Sequence, residues 1–208
     1  AHPGEYLLGL SPADLREAKS SGRLAVCLDV EGVHALGPQV SLVGFLYEIG
    51  VRWMLLVYNR RNLAGSGCHD PADTGLTELG RALLAEMDRV GMVRCCSHAG
   101  YRTAREIIDS SDRPVIFSHS NPRRLRDHPR NIPDELIRAC AATDGVIGIN
   151  GVGLFLGTGP PTAEVILQNV DYVAQLVGAD HVGLGLDYMF KSSELDDPAR
   201  GGAEMWPR

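Results

Sequence analysis

The chain has 208 residues, 44% apolar and 22% charged, with a net charge of −6; this composition fits a soluble globular domain and excludes disordered and collagen-like classes. No Lys or Arg run exceeds the pairs Arg60-Arg61 and Arg123-Arg124, so the footprint of a nucleic-acid binder is absent, and no apolar stretch has the length of a membrane span. The five cysteines, Cys27, Cys68, Cys95, Cys96 and Cys140, are odd in number and form no C-x-x-C pair, so they suggest neither a disulfide framework nor a zinc knuckle. Cys27, Cys95 and Cys140 lie in apolar segments and read as small core residues, which points to a reducing compartment. The start, Ala1-His2-Pro3-Gly4-Glu5, shows no leader pattern. A cytoplasmic chain is expected, with an unseen leader left open because no initiator Met is present.

The first apolar run is Arg23 to Val30, closed by Glu31-Gly32. It lacks period-2 alternation, as a parallel strand covered on both faces does. Val40 to Ile49 has helical spacing and ends at Gly50, and a second strand runs from Arg52 to Val57. Leu76, Leu79, Leu83, Leu84, Met87 and Val90 recur at three- and four-residue steps and predict an amphipathic helix stopped by Gly91. Met92 to Ser97 is a third strand, Thr103 to Ile108 a short helix, and Pro114 to Ser118 a fourth strand. Pro133, Asp134 and Glu135 open another helix as the helix dipole prefers. Gly145 to Ile149, Ala163 to Val177 and His181 to Leu186 complete the order as strand, helix and strand.

Strands alternating with helices imply βαβ crossovers and a parallel sheet, and no linker divides the chain, so a single domain is expected. An open doubly wound sheet is the rival, but no G-x-G-x-x-G follows the first strand. The polar residues favour a barrel. Glu31, Tyr58 with Asn59, His98, His119 and Asp187 follow five different strands, and strand C-terminal ends form the active-site face of a (β/α) barrel. A carboxylate and two imidazoles converging there suit one or two divalent metals, Zn²⁺ among them.

Each residue also has a plainer reading. Glu31 could cap the next helix and Asp187 could start a turn; His34, His69, His128 and His181 read best as polar loop residues. His98 and His119 differ from these because each occurs as Ser-His directly after an apolar strand, in consecutive βα units.

The phrases DVEG (29–32), YNRRNLAGSGC (58–68), GLTELGRALLAEMDRVGM (75–92), SHAG (97–100), PVIFSHSN (114–121), HPRNIPDE (128–135) and GLGLDY (183–188) resemble, in order, the bacterial branch of the membrane dipeptidases, peptidase family M19. The resemblance implies a (β/α)₈ TIM-barrel metallohydrolase with two zinc ions bridged by Glu31, one of them bound by His98 and His119. It further implies that Arg130 holds the substrate carboxylate and that Asp187 moves protons during hydrolysis of a dipeptide by a metal-bridging hydroxide. Tyr58 stands where many members have a histidine that contacts the substrate carbonyl, and a phenol can donate to a developing oxyanion there. Asn59 is placed with the substrate-binding residues, and a homodimer is a further implication.

Two departures accompany the resemblance. Cys95 replaces an aspartate common in the bacterial branch, which is expected to alter the support of His98. The family's His-x-Asp pair on its first strand, which completes the other zinc site, has no counterpart: His2 is followed by Pro3 and Gly4. The six strands then correspond to strands 3 to 8 of the barrel, and the polar, Gly-rich stretch 191–208 leaves little for a final helix. An incomplete barrel, truncated at the N-terminus and at the C-terminus, is therefore expected, because a complete one typically needs about 250 residues. Two other functions stand beside a dipeptidase. One is a non-catalytic barrel lacking one metal site; the other is an amidohydrolase acting on a lactam, lactone or modified amino acid.

Overall fold

The computed structural model describes residues 2–157 and 161–188. The strands are β1 (Tyr6–Leu8), β2 (Leu24–Val26), β3 (Leu28–Glu31), β4 (Val51–Leu55), β5 (Val93–Cys95), β6 (Ile147–Ile149) and β7 (Val182–Leu184). Between them lie α1 (Pro12–Ser21), α2 (Leu42–Glu48), α3 (Glu78–Val90), α4 (Tyr101–Asp109), α5 (Asp134–Ala141), α6 (Gly153–Leu156) and α7 (Ala163–Val177). Every strand pair is parallel: β1 with β2, β3 with β4, β4 with β5, and β6 with β7. The predicted strand at Pro114 to Ser118 closes the gap between β5 and β6. Its Ile116 pairs with Cys95 and its Phe117 with Ile147, and Phe117 accepts from the Gly148 amide at 2.7 Å. The result is an arc of parallel staves in chain order, part of a (β/α) barrel.

The arc begins one βα unit earlier than the sequence indicates. β1 and α1 precede the run at Arg23, and a three-residue strand is too short to show a period. Local chemistry still builds the unit: Ser11 caps α1 by accepting from the Asp14 amide, and Gly22 ends it at φ +70°. The predicted strand Arg23 to Val30 is in fact two. Residues 24–26 pair with β1 and residues 28–31 with β4, so the backbone changes partner at Cys27.

The core lies between the arc and its helices. Leu83 and Met87 of α3, Ile107 of α4, Ile137 and Cys140 of α5 and Val173 of α7 pack with Met54, Leu56, Phe117, Ile147 and Ile149, all fully buried. Leu83 and Met87 follow the predicted spacing, and each large side chain taken out of water contributes roughly 1.5–3 kcal/mol. Coverage is poorer at the two ends. Tyr6, Leu8, Leu24 and Val26 are exposed, and Leu184 of β7 is 68% exposed. Among the described residues no helix is long and apolar enough to cross a membrane. The stretch 191–208 lies outside the described residues.

Candidate metal centre

Glu31 ends β3, His98 stands three residues beyond β5, and His119 directly follows the stretch bridged at Ile116 and Phe117, the stave 115–118. The two Nε2 atoms are 2.8 Å apart. Glu31 Oε1 lies 2.9 Å from His98 Nε2 and 3.1 Å from His119 Nε2. The structure thus brings together all three predicted metal ligands, with donor atoms within 4.8 Å of one another.

Each imidazole is held from behind. His98 adopts a left-handed backbone, φ +68°, and its carbonyl accepts from the Cys68 amide at 2.9 Å. Its Nδ1 lies 2.8 Å from Asn59 Oδ1, and the Tyr58 ring stacks on it with centroids 4.3 Å apart. His119 donates its amide to Ser97 Oγ, and its Nδ1 lies 2.8 Å from Ser118 Oγ. Glycines allow the neighbouring staves to press on this segment: a Cβ on Gly148 would come within 2.1 Å of the Ser118 carbonyl oxygen, and one on Gly185 within 1.9 Å.

The protonation pattern suits a divalent cation. Burial lowers the His98 pKa to about 4, helped by Arg130 and His119 and opposed by Glu31, so the ring is neutral at pH 7. Burial would raise the Glu31 pKa, but the His119 and His98 rings beside it outweigh that and hold the carboxyl well below the usual range. An amide oxygen only accepts, so Asn59 leaves the Nδ1 proton on His98 and a lone pair on Nε2. A carboxylate oxygen and imidazole nitrogens aimed at one another are a donor set that a cation satisfies, and nitrogen with oxygen suits zinc.

Arg130 is 3% exposed. Its Nη2 donates to the His119 carbonyl oxygen at 3.0 Å, and its guanidinium carbon sits 5.5 Å from the centre of the Phe155 ring. Among the described residues no carboxylate forms an ion pair with it. Burial lowers its pKa, against the pull of Cys68, Asp187 and Glu31. With His98, Cys68 and Arg123 it lines a small cavity whose other walls include Ile132 and Leu136. Asp187, at φ +61°, accepts from Asn150 Nδ2 at 3.0 Å. Tyr58 is 44% exposed, and partial burial raises the pKa of its hydroxyl.

Two sequence expectations change, and one supporting network is new. Cys95 supports His119 rather than His98: its Sγ lies 3.2 Å from Ser118 Oγ, the atom that meets His119 Nδ1. The shift follows from β5 pairing with the stave 115–118, which puts residue 95 beside Ser118. Asn59, assigned to substrate, has its carboxamide oxygen engaged by His98. A network absent from the sequence reading supports Asp187: Asn121 Nδ2 donates to the Asn150 carbonyl, Asn121 Oδ1 accepts from the Asn150 amide, and Asn150 reaches Asp187. Asn150 directly follows β6, so the strand-end rule that selects His119 selects it as well. The remaining histidines stay outside the triad, with His181 Nδ1 bonded to the Gly145 carbonyl and His128 Nδ1 accepting from the Arg130 amide.

A parallel βα arc with a carboxylate and two imidazoles gathered at its strand ends is the architecture of a (β/α) barrel with a candidate metal centre. The sequence profile of the membrane dipeptidases, peptidase family M19, matches residues 2–200, and the chain belongs to that family. The dipeptidase verJ of Clonostachys rogersoniana is 32% identical over 198 residues, covering 93% of this chain and 51% of its own length. A solved amidohydrolase from Pseudomonas aeruginosa is 33% identical with a TM-score of 0.86, over 93% of this chain and 60% of that one. A Rhodobacter sphaeroides metallo peptidase, liganded with a phosphinate mimic of the dipeptide L-Ala-D-Ala, is 25% identical with a TM-score of 0.84, over 99% and 58%. The chain spans about half the length of the curated relatives it matches.

Proposed function

We propose that the whole protein is a zinc-dependent dipeptidase. The observation that carries this reading is the placement of a nearly buried Arg130, with no carboxylate ion pair among the described residues, beside the converged Glu31, His98 and His119. A buried cation of this kind favours an anionic ligand, and a guanidinium takes a carboxylate in two parallel hydrogen bonds. A peptide bound through its C-terminal carboxylate at Arg130 would present its amide bond to the triad. Dipeptidase relatives, and a related peptidase that binds a dipeptide mimic, support the choice of substrate.

Glu31, His98 and His119 would hold zinc, which supplies Lewis acidity toward the scissile carbonyl and lowers the pKa of water into the neutral range. Asp187, fixed by Asn150, would accept the proton of the attacking water and return it to the leaving amine. The Tyr58 hydroxyl, protonated at neutral pH as a phenol is, would donate to the developing oxyanion. The exposed apolar side chains of β1, β2 and β7 support a further stave between the two ends of the arc in the whole protein. By the family resemblance, that stave would bring a His-x-Asp pair for a second ion.

The test is hydrolysis of a broad panel of L,L and L,D dipeptides by the whole protein, each also offered as its C-terminal amide. Chelator-sensitive hydrolysis of the free acids with little turnover of the amides is expected. Cleavage of no dipeptide by the zinc-loaded protein would overturn the proposal.

A further inference from the structure

We infer that Asn59 is a positioning residue that sets the tautomer of His98 and thereby the affinity of the metal centre, an inference that rests on the metal reading above. A neutral imidazole carries one proton on either nitrogen, and only the Nδ1–H form leaves a lone pair on Nε2, the atom that faces Glu31 and His119. The partner of Nδ1 is Asn59 Oδ1, at 2.8 Å. The Cys68 thiol, 3.6 Å away, points at the same oxygen. Two donors converging on one carboxamide oxygen fix which end of the amide faces His98.

The local backbone is built around this contact. Asn59 has φ +56°, a left-handed conformation that asparagine tolerates better than most residues. Its carbonyl accepts from the His69 amide at 2.8 Å. Gly67 packs so closely against it that a Cβ there would come within 2.3 Å of the Asn59 carbonyl carbon and oxygen. The loop from Tyr58 to Cys68 therefore grips His98 at three points: the Tyr58 ring on its face, Asn59 on Nδ1 and the Cys68 amide on its carbonyl. His119 has a hydroxyl partner at Nδ1, which can donate or accept. Tautomer selection by an obligate acceptor therefore falls on His98.

The left-handed backbone makes a clean test possible. Asn59→Gly keeps the conformation, because glycine prefers it, and removes only the acceptor; Asn59→Asp keeps an acceptor. In the metal-free whole protein, ¹H–¹⁵N correlations of the imidazole rings report the tautomers, and Zn²⁺ affinity is read by competition with a chromophoric chelator. His98 is expected in the Nδ1–H form in the wild type and in Asn59→Asp, and to lose that preference in Asn59→Gly, with His119 unchanged. Zinc affinity should fall about 10–100-fold in Asn59→Gly, the usual cost of losing such outer support, and recover in Asn59→Asp. A wild-type tautomer and affinity in Asn59→Gly would refute the inference, as would an equal loss in both variants. If the wild type binds no zinc, the metal reading fails, while the ring spectra still decide the role of Asn59.

Discussion

The middle and the ends of the arc are built differently. β4, β5 and the stave 115–118 are covered by helices, and their buried residues include Met54, Leu55, Cys95 and Phe117. β1, β2 and β7 leave Tyr6, Leu24, Val26 and Leu184 in solvent. The proposed site straddles the two regimes. Both histidines hang from covered staves and are buried, whereas Glu31 and Asp187 follow β3 and β7 and are exposed. Rigid support of the imidazoles therefore belongs to the described arc, and the carboxylates depend on strands whose coverage is partial.

Substitutions can break that comparison at several strengths. The largest effect is expected at the proton-transfer group: Asp187→Asn should lower kcat for dipeptide hydrolysis by roughly 10²–10⁴-fold while leaving zinc content intact. Next comes the contrast in packing. Phe117→Ala, in the covered middle, should cost about 3–5 kcal/mol in a urea unfolding series. Leu184→Ala, at the exposed end, should stay within about 0.5 kcal/mol in the 208-residue chain. A larger loss at Leu184 is expected in the whole protein, where the proposed further stave covers β7. Arg130→Lys keeps the charge and removes the planar fork, so KM should rise about 10–100-fold, the equivalent of roughly 1.5–3 kcal/mol for a charged hydrogen bond, with a smaller change in kcat. Gly148→Ala tests the close approach of β6 to the segment that carries His119. Its methyl meets the Ser118 carbonyl, and the melting curve should show roughly 1–3 kcal/mol of destabilisation.

Much of the site was legible because it follows a local rule. A polar residue directly after an apolar run, repeated in consecutive βα units, selects His98 and His119, and the same rule reaches Glu31 and Asp187. Arg130 came only through the family motif, since nothing along the chain links it to the His119 carbonyl it contacts eleven residues away. Elements shorter than a period were invisible. β1 has three residues, and the change of partner at Cys27 happens inside one unbroken apolar run. The support network was hidden for a different reason. Whether Cys95 backs His98 or His119 depends on which stave lies beside β5, and whether Asn59 faces substrate or His98 depends on a left-handed turn at the end of its strand. Both are tertiary facts that pattern alone does not carry.

The central claim is that Glu31, His98 and His119 together hold a metal that hydrolysis requires. Its most direct test is zinc content, measured on the whole protein beside dipeptidase activity, for the wild type and for His98→Ala/His119→Ala. Bound zinc and activity in the wild type, both lost on chelation and restored by zinc, with an inactive double variant short of one ion per chain, is the expected result. Undiminished zinc and hydrolysis in the double variant would contradict it.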